Sequence, residues 1–351
     1  MKKILFIFLA FIMITACNQQ KFEYPETRKS DVVDDYFGTS VADPYRWLED
    51  DHSKETMEWV KAQNELTNSY LAKIPYRDQI RDRLKELLNY PRMGVPYKEG
   101  DYYMYSFNNG LQDQNVIYLK DNLEDEGRVL IDPNKFSDDG TVALTGIEIS
   151  DDSKYVAYTI TRGGSDWNEA YVMDIESGEK LDDHLEWLKF SGIAWKKDGF
   201  FYNRFDAPAK DDKLKGVNTG SRICFHKTGT SQSEDIVVYQ DPSNPGYSFH
   251  ASLSDDNRFL VITCFESTTG NAIYIKDLHR KDNKIYRMVE NFDNDYVFIG
   301  SVGDKLYFFT NYNAPLYKVI EVDINNIETD NWTDVIPEEK MVMRECQFAG
   351  D

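Results

Sequence analysis

The sequence predicts a mainly β protein, an incomplete β-propeller preceded by an N-terminal helical arm, and three observations support this. Short runs of Val, Ile, Thr and aromatic residues dominate from Tyr97 onward, in a chain with 23 Tyr and 20 Phe among 351 residues. Such side chains suit pleated, half-buried strands. A polar turn and a strand-ending aspartate recur every ~50 residues, the size of a four-stranded blade. Before Tyr97 the apolar residues fall instead at helical spacing.

The chain opens with Met1, Lys2 and Lys3, then the apolar run Ile4 to Ile14. That run is too short to cross a bilayer as a helix and reads as a secretory leader. It closes on Ile14-Thr15-Ala16-Cys17, which resembles the lipobox of bacterial lipoproteins. Residues 1–17 are therefore expected to be a lipoprotein signal peptide, with Cys17 acylated. The protein would then be exported and lipid-anchored to a bacterial membrane on its periplasmic side.

Residues 18–90 are expected to be a tether and the helical arm. Trp59, Ala62, Leu66 and Tyr70 share one helical stripe, and Ile80, Leu84, Leu87 and Leu88 share another. Asp50, Asp51 and Ser53 are N-cap candidates for the first helix, Pro75 separates the two, and Pro91 closes the second. Both stripes need something to pack against.

Residues 91–351 are expected to be the partial propeller. Ser150-Asp151-Asp152-Ser153-Lys154-Tyr155 and Ser254-Asp255-Asp256-Asn257-Arg258-Phe259 are near copies of one turn. Lys196 to Phe201 and Val302 to Tyr307 are looser ones. A second series, Tyr118 to Asp121, Tyr171 to Asp174, Tyr274 to Asp277 and Ile320 to Asp323, marks a later strand in each unit. The double interval between Tyr171 and Tyr274 places a missed copy near Ile223 to His226. This register gives about five blades by Asp323, with Met341 to Phe348 expected as the first strand of a sixth. A propeller that stops inside a blade leaves strand edges and apolar faces in water, so the reading expects further chain beyond Asp351.

Composition and motifs exclude several chemistries. The net charge of −21 repels phosphate backbones, which argues against a nucleic-acid partner. Cys224, Cys264 and Cys346 are too far apart for a zinc pattern or a disulfide framework. No metal-ligand motif and no glycine-rich phosphate loop occurs, so neither a metal nor another cofactor is expected. Gly-x-Ser-x-Gly, the turn that exposes a hydrolase serine, is absent as well. In its nearest imitation, Gly163 to Trp167, a tryptophan stands where the second glycine belongs. His52, His184, His226, His250 and His279 have no nucleophile that sequence alone can pair with them.

The run Val41-Ala42-Asp43-Pro44-Tyr45-Arg46-Trp47-Leu48-Glu49-Asp50 resembles the opening of the prolyl oligopeptidase family of serine peptidases. Tyr24-Pro25, Asp34 to Gly38, Gln63-Asn64, Asn109 to Gln114, Ser137 to Leu144, Gly164 to Trp167 and Gln232-Ser233-Glu234-Asp235 extend the likeness in the family's order. The resemblance implies a helical arm, a seven-bladed propeller without sequence closure, and an α/β-hydrolase domain carrying Ser, Asp and His. It further implies that the arm packs on that domain, that short proline-containing peptides are cleaved after proline, and that the propeller excludes folded proteins. By the same likeness Val172, Ser248 and Ser267 would face the substrate, although familiar members carry larger or softer residues there. None of these residues is expected to be catalytic, and the chain by itself is expected to be inactive and poorly soluble or dependent on a partner.

Two other readings compete. A free-standing, lipid-anchored propeller could bind a ligand without catalysis, but the amphipathic arm would then lack a partner. A glycoside-processing enzyme would need two carboxylates about 5 to 10 Å apart, one with a raised pKa. With 61 acidic residues, no pair can be singled out from sequence.

Overall fold

The computed structural model describes residues 22–209 and 216–348. The leader and Cys17 lie outside the described residues. The chain divides into two compact units, one ending at Asn89 and one beginning at Tyr90.

In the first unit, β1 (Val33–Tyr36) and β2 (Thr39–Ala42) form an antiparallel hairpin that periodicity did not reveal. Its two-residue turn, Phe37-Gly38, has φ of 55° and 88°. Left-handed backbone at both positions matches the right-handed twist of the flanking strands. Beyond the hairpin, the Arg46 guanidinium binds Asp43 at 2.5 Å and also Asp34, tying the hairpin to the following turn. Trp47 Nε1 donates to the Arg28 carbonyl and Trp59 Nε1 to Thr27 Oγ1, each at 2.9 Å, which holds the extended N-terminal segment in place.

The two expected helices are present as α1 (Lys54–Leu71) and α2 (Arg77–Leu88). Of the three cap candidates, Ser53 performs the role: its Oγ accepts from the Thr56 amide at 3.1 Å. Within α1 only Thr56 is buried, and within α2 nothing is.

The second unit consists of five antiparallel sheets, each built from consecutive strands. Sheet 1 holds β3 (Arg92–Met93), β4 (Tyr97–Glu99), β5 (Tyr102–Asn108), β6 (Val116–Lys120) and β7 (Arg128–Ile131), with both β3 and β4 paired to β5. Sheet 2 holds β8 (Val142–Ile149), β9 (Tyr155–Arg162), β10 (Asn168–Asp174) and β11 (Lys180–Leu188). Sheet 3 follows with β12 (Ile193–Lys196), β13 (Gly199–Arg204), β14 (Arg222–Lys227) and β15 (Ile236–Gln240). Sheet 4 has β16 (Ser248–Leu253), β17 (Phe259–Phe265), β18 (Ala272–Asp277) and β19 (Ile285–Val289). Sheet 5 has β20 (Tyr296–Val302), β21 (Lys305–Thr310), β22 (Lys318–Asp323) and β23 (Thr333–Ile336).

Both sequence series fall where a repeat requires. The polar turns join first to second strands, and the aspartate-ended segments are third strands, including β14 at the position of the missed copy. Each turn works the same way: Ser150 Oγ accepts from the Tyr155 amide at 2.9 Å, and Ser254 Oγ from the Phe259 amide at 2.8 Å.

Apolar clusters join consecutive sheets. Phe200 packs toward sheet 2 with Val172 and Leu185, while its neighbour Phe201 packs toward sheet 4 with Phe249 and Leu260. Successive side chains point to opposite faces of a strand, so a middle strand covered on both sides reads as one apolar run. Similar clusters join sheets 1 and 2 and sheets 4 and 5, and no described cluster contains residues of both sheet 1 and sheet 5. Met341 to Phe348, expected as a first strand, makes no strand pairing among the described residues. It lies along sheet 5 instead, with the Met343 amide on the Leu316 carbonyl at 2.9 Å and the Phe348 ring 5.0 Å from Tyr307.

Candidate functional site: a channel along the first strands

The first strands of sheets 1 to 4 meet along a cleft of about 440 Å³. Glu148, Ala194 and Ser252 line it, and each stands two residues before its turn, so the repeat brings equivalent positions to one surface. Glu99, Asp151 and Asp255 add carboxylates. Solvent reaches Glu148 from the cleft, but protein surrounds its carboxyl at longer range. That burial, with the charge of Glu99, pushes its pKa up to about 7. Burial also raises the Glu99 pKa and lowers that of His250, which keeps the imidazole neutral at neutral pH.

His250 is shared with a second cleft of about 370 Å³, lined by Phe190, Asn203, Ser248, Phe249 and Phe265. Phe190 is 71% exposed and has φ of 51°, so a bulky aromatic is held in left-handed backbone with its ring at the cleft. That conformation is costly for an aromatic residue and persists only when the surroundings impose it. The His250 ring lies so close to Gly192 that an added Cβ would meet Nε2 at 2.8 Å, so a larger residue there would force the ring to shift.

The three residues expected to face substrate fare differently. Ser248 lines the aromatic cleft. Ser267 is exposed in the turn after β17, two residues beyond the cleft-lining Phe265, and its Oγ bonds the Thr269 carbonyl at 3.4 Å. Val172 requires correction: it is on β10, a third strand, and is wholly buried between sheets 2 and 3. A third strand is separated from the channel by two others, and the aromatics that reach the cleft are Phe190, Phe249 and Phe265. The backbone twist that aims Phe190 leaves no pattern in the sequence. Glu148, by contrast, could have been found by aligning the turns and reading two residues back.

Cys224 and Cys264 are buried, and burial pushes their thiols up to about 11 and about 12, so neither is poised as a nucleophile. Among the described residues no group of three or more His, Cys, Asp or Glu side chains is arranged to hold a metal.

Residues 24–351 match the family model described as prolyl oligopeptidase, N-terminal beta-propeller domain. A prolyl endopeptidase of Elizabethkingia meningoseptica is 41% identical over 94% of this chain and 46% of its own length. Prolyl oligopeptidase A of Amanita bisporigera is 35% identical over 90% of this chain and 46% of its own. Among solved structures, prolyl oligopeptidase B from Galerina marginata bound to a 35mer hydrolysis and macrocyclization substrate superposes with a TM-score of 0.80. It is 32% identical and covers 91% of this chain and 48% of its own. The chain thus spans about half the length of the relatives it matches. With five repeated sheets, an N-terminal helical unit and these relatives, the chain belongs to the prolyl oligopeptidase family, matching its N-terminal propeller region.

Proposed function

We propose that this chain supplies the arm and the substrate-gating propeller of a serine endopeptidase that cleaves short peptides after proline. An α/β-hydrolase domain would contribute the Ser, Asp and His of catalysis. The observation that carries this reading is the channel along the first strands, with its aromatic cleft of Phe190, Ser248 and Phe265, in a chain of this family. In that role Phe190 and Phe265 take an apolar side chain of the peptide, and the channel turns away folded proteins. Ser267 borders the same cleft. The exposed stripe of Ile80, Leu84, Leu87 and Leu88 is the surface that docks on the hydrolase domain. Cys17 carries the lipid that anchors the protein on the periplasmic side of a bacterial membrane.

The sequence contains no Gly-x-Ser-x-Gly, so the nucleophile and its oxyanion hole must come from elsewhere. Glu148 beside Glu99 is a feature shared with a glycoside-processing site, and family membership and the aromatic cleft outweigh it. The test is to read the gene downstream of the Asp351 codon in all three frames. A Gly-x-Ser-x-Gly followed by Asp and His is expected. Their absence would leave a non-catalytic, lipid-anchored binding module.

A further inference from the structure

A buried histidine away from the channel has a geometry that ties two sheets together. His226 on β14 is fully buried between two carboxylates. Its Nδ1 is 2.7 Å from Asp235 Oδ1 and its Nε2 is 2.9 Å from Asp183 Oδ1. An ionised carboxylate accepts and cannot donate, so two good hydrogen bonds require a proton on each ring nitrogen. Only the doubly protonated ring donates in both bonds.

Asp183 belongs to β11, the outermost strand of sheet 2, whereas His226 and Asp235 belong to sheet 3 and its last connection. At the same edge Gln232 bonds the Glu186 backbone twice, at 3.0 and 3.2 Å. At the inner edge, Trp195 Nε1 donates to the Glu148 carbonyl at 2.9 Å, with the apolar cluster around Val172 and Phe200 between the two edges. Gln232 and Asp235 come from the Gln-Ser-Glu-Asp run that resembled the family and that the channel does not use.

We propose that His226 is a proton-operated clasp: the imidazolium holds the outer edge of sheet 2 against sheet 3, and loss of one proton to solvent lets that edge part about the inner contact at Trp195. Asp183 from β11 and Asp235 from the connection to β15 face the ring, Phe200 of β13 packs on it at 5.3 Å, and Tyr202 of β13 reaches Asp235. Tyr202 donates to Asp235 Oδ2 at 2.6 Å, and the Gly229 amide donates to Asp183 Oδ1 at 2.7 Å. Along β14, Cys224 lies on the same seam. His184, Lys227 and Glu234 on these elements are exposed.

Burial lowers the His226 pKa, but the hydrogen bonds to Asp183 and Asp235 outweigh it and carry the pKa up to about 9. Burial and Asp235 hold Tyr202 protonated far above the usual phenol range, and Cys224 is raised to about 11, so neither titrates first. The folded pKa exceeds the unfolded value of about 6.5, so the clasp is complete below ~6.5 and is lost as pH rises through about 9.

The test is hydrogen exchange on the whole chain from about pH 6 to about pH 10, corrected for the chemical rate, peptide by peptide. Amides of β11 and β14 should lose protection by about ten-fold more than those of β5 and β9, which meet at the seam of sheets 1 and 2. His226→Gln should show that selective loss already at about pH 6 and no further pH dependence at this seam. Imidazole nitrogen shifts of the wild type provide a readout that survives if the variant fails to fold, and should report a doubly protonated ring at neutral pH. A neutral ring there, or protection lost equally at both seams or not at all, would overturn the clasp.

Discussion

The helical unit and the sheet unit use their apolar side chains in opposite ways. In the arm, Ile80, Leu84 and Leu87 are each about half exposed. In the sheets, Phe200, Leu260, Ile275 and Phe308 have no exposed surface at all. Yet both were read from equally clear periodicity. A stripe on a helix shows that burial is needed and says nothing about what provides it, whereas a repeat of strands brings its own partner about 50 residues later.

Substitutions should separate the two units sharply. Phe259→Ala, in the seam of sheets 4 and 5, is expected to cost about 3–5 kcal/mol in urea unfolding through the cavity it leaves. Leu84→Ala on the arm should change the stability of this chain by less than about 0.5 kcal/mol. In a protein where the arm is docked, the same change should cost about 2 kcal/mol or more. Equal effects of Leu84→Ala in both settings would contradict docking through this stripe.

Ser53→Ala removes the cap of α1 and should cost about 1 kcal/mol, read as faster amide exchange in the first turn of that helix. The sheets, which lack capped helices of that length, should not respond.

A further expected effect, dependent on pH, lies in the channel. Glu148 has a folded pKa of about 7, above its unfolded value, so its protonated form favours the fold at low pH and this contribution disappears as pH rises through about 7. Glu148→Gln should therefore raise the thermal midpoint at about pH 8 and leave it unchanged at about pH 4. A rise at both pH values would mean that the carboxylate is not the origin.

How much of this was legible follows from the kind of signal each element leaves. The turn serines and the third-strand aspartates recur in register, so the sheets and even β14 could be placed from spacing. The Phe37-Gly38 hairpin was missed because its strands are short and exposed on nearly every residue, so no alternation marks them. Ser248 and Val172 were both named from family likeness alone, and Val172 lies on a third strand, two strands away from the channel. His226 could not be singled out, because Asp183 is 43 residues away and only the stacking of sheet 2 on sheet 3 brings it within hydrogen-bonding distance. Spacing reports contacts within a repeat, while sites between repeats depend on tertiary geometry.

The most direct test of the central claim joins this chain in frame to the hydrolase domain of one of its prolyl endopeptidase relatives. Cleavage is then assayed on a short proline-containing peptide and on a folded protein displaying the same sequence. The account predicts cleavage of the short peptide after proline, no cleavage of the folded protein, and none of either by the unjoined chain. A folded, joined protein that cleaves both substrates alike, or an unjoined chain that cleaves the peptide, would contradict it.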